Sequence, residues 1–324
     1  MHLVYDDWAK IAKKTYESDI KEIKLQKINH IAFVGMGGSG AIGDVFSAIL
    51  SKTNIHTTVV KGYTLPKTVD KDTIVVVVSV SGDTKETLEV LKLAKQIRCK
   101  IIAFSSGGKI EKFCLKNNIE YRKLEKKHSP RASFPIFLYG ILKVLKPILP
   151  IDDQEIKQSI KQLKKLSLNI SSQNFSNNNQ SLKLAKWINE IPVIYYPFGF
   201  QSCAIRFKNS LQENAKIHAI AEDVLEATHN GVVSWEKKSK LKPILIRGVN
   251  DHIKTKERWE ILKEFFNSKK IPFYEIKSIR GGILSKLVNL IYLFDYASIY
   301  VSILNNTEPS PVEAIDFVKS RLKN

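Results

Sequence analysis

Cysteine is scarce in this sequence of 324 residues, which contains three: Cys99, Cys114 and Cys203. They lie far apart and show no C-x-x-C spacing, so they predict neither a disulfide framework nor a zinc site. The class of small secreted proteins stabilised by disulfides is thereby excluded. We interpret all three as structural thiols in a reducing compartment, and we expect a cytoplasmic protein.

Long apolar runs and a leader segment are also missing. No apolar run approaches the roughly 20 residues that span a bilayer. The N-terminus, "MHLVYDDWAKIAKK", lacks the apolar stretch of a secretory signal. We therefore expect no membrane partner.

Acidic residues are few relative to basic ones: 32 Asp and Glu against 51 Lys and Arg leave a net charge of +19. The basic residues are spread along the chain, mixed with acids, and not interleaved with aromatics. This pattern favours a solvated lysine-rich surface over a nucleic-acid face, so we expect no nucleic-acid partner. The alternative, a DNA-binding protein, would show a salt-sensitive shift on DNA. The positive field also favours anionic small substrates.

The first half alternates short apolar runs with amphipathic stretches. Runs rich in Val and Ile, bounded by glycine, are typical of buried parallel strands. Strands are predicted at 30–35, 56–62, 73–82, 100–108 and 120–124, with helices at 40–51, 84–98 and 108–117. The alternation predicts an α/β domain with a doubly wound parallel sheet over residues 1–150.

The second half repeats this alternation and predicts a second, more diverged α/β domain over residues 151–324. Strands are predicted at 192–199, 232–236, 242–248 and 272–278, with helices at 202–216, 219–227, 254–269 and 283–304. A helix is expected to begin at 134, and the polar segment 167–180 is expected to be a loop. Pro311 is expected at the first position of a final helix.

A glycine-rich loop follows the first predicted strand. Gly35, Gly37 and Gly40 have the spacing G-x-G-x-x-G of a dinucleotide-binding turn. Such a site needs an acidic residue about 20 residues later to hold the ribose, and Lys61 and Gly62 stand there instead. NAD is thus disfavoured, while a lysine in contact with a 2′-phosphate leaves NADP open.

Hydroxyl residues crowd the junction after the third predicted strand. In "SVSGDTKET", Ser79, Ser81, Thr84 and Thr87 surround Gly82 just before a helix. Hydroxyls and backbone N–H groups converging on a helix N-terminus favour an anion. Because the two loops follow adjacent strands, they should lie together at the carboxyl edge of the sheet. A small phosphorylated molecule fits this arrangement better than a dinucleotide.

Several motifs in succession resemble those of a known family. "GMGGSGAIGD", "SVSGDTKET", "SSGGKI" and "SPRASFP" are similar to the sugar isomerase (SIS) domain family. With "FQSCAIRFKNSLQENAK", "ATHNGVVSWE" and "TEPSPVEAIDFVKSRL", they resemble the archaeal-type bifunctional phosphoglucose/phosphomannose isomerases over nearly the whole chain. The resemblance implies two SIS domains, each a doubly wound parallel sheet with flanking helices, and a hexose 6-phosphate substrate. It implies contacts from Gly38 and Ser39 to the sugar and from Ser79, Ser81 and Thr84 to the phosphate.

The resemblance also implies catalytic roles. Glu213 matches the base that moves a proton between C2 and C1 through a cis-enediol, with no metal or redox cofactor. Its place on a helix fits this role, because Ala204, Phe207, Leu211 and Ala215 form an apolar stripe that leaves Arg206, Asn209 and Glu213 on a polar face.

Three further catalytic residues are expected from the same resemblance. His229 would open the sugar ring from the neighbouring subunit, which implies a homodimer. Arg131 would be the cation beside the enediolate. Lys319 matches the family's ring-opening lysine, with Lys323 as the competing register. Thr307 or Ser310 would let the site accept both epimers.

The alternatives to this function are another SIS-domain isomerase and a non-catalytic SIS protein that senses sugar phosphates.

Overall fold

A computed structural model describes residues 1–24 and 28–322. Its first sheet is parallel, with five strands in the order β2-β1-β3-β4-β5. The strands are β1 (His30–Val34), β2 (His56–Val60), β3 (Ile74–Ser79), β4 (Lys100–Ser105) and β5 (Glu120–Lys123). All five match the strands predicted from the apolar runs. The central strand β3 is buried along its whole length, because helices cover both faces of the sheet.

Helices flank this sheet and continue beyond it. They are α1 (His2–Asp6), α2 (Trp8–Tyr16), α3 (Gly37–Leu50), α4 (Lys85–Ile97), α5 (Gly108–Lys116), α6 (Phe134–Leu145), α7 (Asp153–Ile170) and α8 (Gln180–Trp187). Helix α7 shortens the loop expected at 167–180, because Leu166 and Ile170 continue its buried face and carry the helix to residue 170.

The second sheet is also parallel and has the strand order β7-β6-β8-β9. Its strands are β6 (Ile191–Tyr196), β7 (Ile220–Asp223), β8 (Leu241–Arg247) and β9 (Tyr274–Lys277). The accompanying helices are α9 (Gln201–Ser210), α10 (Val224–Ala227), α11 (Ile253–Ser268), α12 (Ile283–Leu304) and α13 (Glu313–Arg321). The prediction of two doubly wound sheets with flanking helices is confirmed, while the boundary between 1–150 and 151–324 stays a prediction.

Three predictions in this half are wrong. Residues 232–236 lie in a 3₁₀ helix (Gly231–Glu236), not in a strand, because Trp235 is buried and donates from Nε1 to the Tyr195 hydroxyl at 2.8 Å. The strand at this edge is β7, in place of the first part of the helix expected at 219–227. Pro311 also lies outside the final helix, which begins at Glu313.

Helix α12 departs from the expectation that no apolar segment approaches the length needed to span a bilayer. It has 22 residues and is long and apolar enough to cross a membrane by length and composition. Most of it is buried, and it packs against α3, α7, α8 and α9 from both halves of the chain. Because its apolar surface is covered on all sides by other helices, α12 is the central helix of a shared core.

Candidate active site

Glu213 lies in a widened helical turn that follows α9. Residues Leu211–Ala215 form a π-helical turn, which ends at Lys216 in the left-handed conformation with φ 55°. Such turns interrupt regular helices and are frequent at functional sites. Leu211 and Ala215 point into the core, whereas the Glu213 side chain is 27% exposed. The turn therefore presents a partly buried carboxylate at the edge of the core.

Arg131 joins three segments of the chain around that carboxylate. Its residue is 5% exposed, and Nη1 donates to Glu213 Oε2 at 2.9 Å. Its Nε donates to Asn214 Oδ1 at 2.7 Å, and its Nη2 donates to the carbonyls of Pro309 at 2.6 Å and Ser310 at 3.1 Å. The planar guanidinium thus fixes one oxygen of Glu213 and leaves Oε1 without a hydrogen bond from the described residues.

A cavity of about 680 Å³ opens in front of Glu213, a volume suited to a small ligand. It lies where the start of α3, the π-helical turn and the start of α13 meet. Its lining residues are Gly37, Asn209, Gln212, Glu213, Lys216, Pro311, Val312, Glu313, Ala314 and Ile315. We call it the Glu213 cavity.

Lys216 holds the wall of the Glu213 cavity together, a role that the sequence did not indicate. Its Nζ donates to the carbonyl of Glu213 at 2.7 Å and to that of Glu308 at 3.0 Å. Burial and the nearby Arg131 charge lower the pKa of Lys216. With Arg131, it ties the segment before α13 to the turn that carries Glu213.

The buried ion pair between Arg206 and Asp295 holds the backbone of Arg131. Arg206 Nη2 donates to the Arg131 carbonyl at 2.9 Å and to Asp295 Oδ2 at 2.6 Å. The expectation that Arg206 lies on a polar face is wrong: it is 3% exposed, and its guanidinium lies 4.1 Å from the centre of the Phe134 ring. The side of α9 that packs against α12 is otherwise apolar. Arg206 lies on this side because Asp295 on α12 supplies its countercharge.

The predicted phosphate-binding hydroxyls surround the start of α4. The Ser79 hydroxyl lies 3.0 Å from the Thr84 hydroxyl and accepts from the Gly82 amide at 3.1 Å. Ser81 is exposed, with its Oγ accepting from the Asp83 amide at 3.3 Å. Thr87, in contrast, is buried inside α4. Ser79, Ser81 and Thr84 therefore lie at the helix N-terminus.

The two glycine-containing loops are hydrogen-bonded to each other, and the first of them lies beside Arg131. A Cβ on Gly38 would lie 3.7 Å from the Arg131 backbone, so this loop runs directly past the arginine. Ser39 is buried, and its Oγ accepts from the Val80 amide at 3.3 Å, which connects the loop to the Ser81 segment. Gly82 has φ 76°, and a Cβ there would meet the Gly107 carbonyl at 1.7 Å, so glycine is required.

The structure does not bring His229 or Lys319 to Glu213 within one chain. His229 is exposed just after α10, Lys319 is exposed on α13, and neither lines the Glu213 cavity. Lys323 lies outside the described residues. Of the two candidate hydroxyls near the C-terminus, Ser310 is adjacent to Arg131, whereas Thr307 Oγ1 donates to Asn305.

Lys61, the residue that replaces the expected ribose-binding acid, is itself paired. Its Nζ donates to Asp44 Oδ2 at 2.6 Å and Oδ1 at 2.8 Å. Across residues 1–24 and 28–322, no group of three or more His, Cys, Asp or Glu side chains is placed to hold a metal ion. The ammonium group that a 2′-phosphate would contact is thus already paired with a carboxylate of α3.

Two parallel sheets with a serine-rich loop and a Glu–Arg pair at the first sheet's carboxyl edge define a protein of the SIS fold class. Residues 24–127 match the SIS domain family, and residues 177–322 match the bacterial phospho-glucose isomerase C-terminal SIS domain. The tagatose-6-phosphate ketose/aldose isomerase structure from Escherichia coli has the same fold: TM-score 0.68, 14% identity, 95% of this chain and 90% of that one covered.

Two relatives of known name are similar to this chain in sequence over nearly its whole length. The bifunctional phosphoglucose/phosphomannose isomerase of Caldicellulosiruptor bescii is 31% identical over 93% of this chain and 91% of its own. That of Aquifex aeolicus is 29% identical over 98% of this chain and 94% of its own. The chain belongs to the bifunctional phosphoglucose/phosphomannose isomerase family, and it is an enzyme of the isomerase class.

Proposed function

We propose that the chain interconverts glucose 6-phosphate and fructose 6-phosphate, and also mannose 6-phosphate and fructose 6-phosphate. The observation that carries this proposal is the Glu213 carboxylate held 2.9 Å from Arg131 on the wall of the Glu213 cavity. Proton transfer between adjacent carbons needs one positioned carboxylate, and the enediolate needs a nearby cation. The names of the relatives support the choice of substrates.

The geometry supports different roles for the two carboxylate oxygens of Glu213 and for its partner Arg131. Arg131 holds Oε2, and Oε1 is the oxygen available to take the C2 proton and return it to C1. As that proton leaves, negative charge develops on the sugar oxygens, and the guanidinium stabilises it without a metal or redox cofactor. Ser310, beside Arg131, is our candidate for the residue that tolerates both epimers at C2.

The phosphate is proposed to lie at the start of α4, on Ser79, Ser81 and Thr84. The N-terminus of this 13-residue helix adds a favourable electrostatic field for an anion. The sugar would then extend past Gly38 and Ser39 toward Glu213, since Gly38 lies beside Arg131 and Ser39 is bonded to Val80.

We expect purified enzyme to convert fructose 6-phosphate into both glucose 6-phosphate and mannose 6-phosphate in the presence of EDTA. Chelation should leave the rate unchanged, because the proposed steps are proton transfers stabilised by a guanidinium. A coupled assay that scores the two products separately makes the measurement. Loss of all turnover on chelation, with recovery on added zinc or magnesium, would refute the metal-independent mechanism.

We propose a homodimer in which His229 of the partner subunit opens the sugar ring. The support is geometric: His229 does not line the Glu213 cavity of its own chain, so a role for it there requires a second chain. Lys319 shares the ring-opening step in this proposal, from the exposed surface of α13.

Mixing inactive Glu213→Gln and His229→Ala subunits is expected to restore activity on the cyclic substrate. About half of the randomly mixed dimers are heterodimers with one intact site, so the mixture should reach roughly a quarter of the wild-type rate. The rate is measured after dissociation and reassociation, with heterodimers verified by mass. If heterodimers form without any gain in rate, the shared site is wrong.

A further inference from the structure

A second large cavity lies on the other half of the molecule, at the carboxyl edge of the second sheet. It has a volume of about 590 Å³ and is formed by the residues that directly follow β6 and β8, together with the ends of α3 and the starts of α11 and α12. In the strand order β7-β6-β8-β9, the chain leaves β6 toward one side and returns to β8 on the other. Open α/β sheets bind ligands in the crevice at such a switch point. We call it the β6–β8 cavity.

Lys286 is a buried cation without a protein partner in this cavity. The residue lies in the first turn of α12, is 9% exposed and lines the β6–β8 cavity. No acceptor within the described residues forms a hydrogen bond or ion pair with its ammonium group. Burial lowers the pKa of Lys286. A largely buried cation that faces a cavity and has no bonded protein acceptor is a position where a bound anion would be stabilised.

The charges around Lys286 are of both signs. Lys52 lines the same cavity, and its positive charge opposes that of Lys286. Asp251 faces the cavity as well, but its Oδ2 accepts from the Gly248 amide at 2.9 Å and from Trp259 Nε1 at 3.0 Å. Glu155, the other acid near Lys286, accepts from the Leu284 amide through Oε1 at 3.1 Å. Both carboxylates are therefore held by other donors.

Helix α11 contributes a third favourable element. It has 16 residues, and His252 at its N-cap and Thr255 in its first turn line the cavity. The first backbone N–H groups of a helix have no intrahelical acceptor, and the helix dipole is positive at this end. Two lysines and a long helix thus direct positive potential into one cavity, against the negative charge of Asp251 on its wall.

We propose that the β6–β8 cavity binds the phosphate group of a small phosphorylated molecule, with Lys286 as its principal contact. Phe198, Pro197 and Ile283 give the remaining wall an apolar character that suits the body of such a ligand. The volume fits a molecule the size of a sugar phosphate or a mononucleotide.

This site is separate from the proposed active site. Ala48 and Ile49 near the C-terminal end of α3 line the β6–β8 cavity, whereas Gly37 at the other end of this helix lines the Glu213 cavity. A helix of 14 residues is about 20 Å long, so one ligand of this size does not reach both cavities.

Equilibrium dialysis with radiolabelled inorganic phosphate tests the proposal by counting sites per chain. Wild-type protein should bind two phosphates, the Ser81→Ala/Thr84→Ala variant should keep only the site at Lys286, and Lys286→Gln should weaken that site by at least about tenfold. Lys254→Gln, which removes an exposed lysine from the first turn of α11, is the matched control and should bind two phosphates. If Lys286→Gln does not fold, Lys52→Gln serves instead and should weaken the same site.

Wild-type binding by Lys286→Gln or Lys52→Gln overturns the proposal. A failure of the phosphate site at α4 is distinguishable, because the wild type and Lys254→Gln would then bind one phosphate each, the same number as Ser81→Ala/Thr84→Ala, while Lys286→Gln would still weaken that one site. In that double variant, displacement of the labelled phosphate by AMP identifies a nucleotide ligand, and displacement by fructose 6-phosphate identifies a sugar phosphate. Bound phosphate that neither compound displaces contradicts a site for phosphorylated small molecules.

Discussion

Replacing Glu213 by glutamine is expected to reduce the isomerisation rate of fructose 6-phosphate by a factor on the order of 10²–10⁴. In the wild type, Arg131 Nη1 donates to Glu213 Oε2 at 2.9 Å. The amide of glutamine keeps the shape of the side chain, and its oxygen can still accept this hydrogen bond. It has no basic oxygen with which to take the C2 proton. The effect should therefore fall on kcat, with little change in the dissociation constant of the substrate.

The control is Glu264→Gln, which makes the same chemical change on the exposed surface of α11. It should retain wild-type kinetics and show that loss of a negative charge alone does not lower the rate. Steady-state kinetics give kcat, and isothermal titration with the Glu213→Gln variant gives the dissociation constant. A Glu213→Gln enzyme within tenfold of the wild-type kcat would remove this residue as the base.

Strands buried on both faces were the most predictable part of the fold. The run "TIVVVVSVSG" predicted β3, and the structure buries every residue of that strand. A parallel strand covered by helices must be apolar throughout, so its sequence leaves few alternatives. Helix α12 was likewise predicted at its observed limits, 283–304, because apolar residues predominate over these 22 positions.

The edge of the second sheet could not be predicted in the same way. Strand β7 has the sequence "IAED", with no buried residue, and pairs with β6 along one side. An edge strand that stays polar has no apolar pattern, and its pairing depends on a distant segment. The run "VVSWE" did have such a pattern, but its buried residue is a single tryptophan that bonds to Tyr195 across the core.

The candidate site shows the same division between local and distant information. Local spacing indicated the buried stripe of α9 and the serine-rich loop, and the structure has both. It gave no indication that Lys216 would bind four backbone carbonyls, since two of them lie more than 90 positions away. Arg206 and Asp295 are 89 positions apart, so the polar face assigned to Arg206 ignored its partner.

That buried pair leads to the second large effect: Asp295→Asn is expected to lower the free energy of unfolding by about 3–5 kcal/mol. Asp295 is fully buried, and besides Arg206 it accepts from the Ser210 hydroxyl at 2.8 Å. Burial raises the pKa of Asp295, and the adjacent Arg206 guanidinium opposes that rise. The amide keeps the shape but removes the countercharge, so a permanently charged guanidinium remains in the core.

The matched comparison breaks an exposed pair instead. Glu89→Gln removes the partner of Lys92 on α4, where both side chains are more than 40% exposed, and it should cost less than about 1 kcal/mol. Urea denaturation followed by circular dichroism measures all the variants. The double variant Arg206→Met/Asp295→Leu should be more stable than Asp295→Asn, because it removes both charges together. Since Arg206 also holds the Arg131 carbonyl, the double variant should still lose kcat, and a fully active one would show that Arg131 is positioned without this pair.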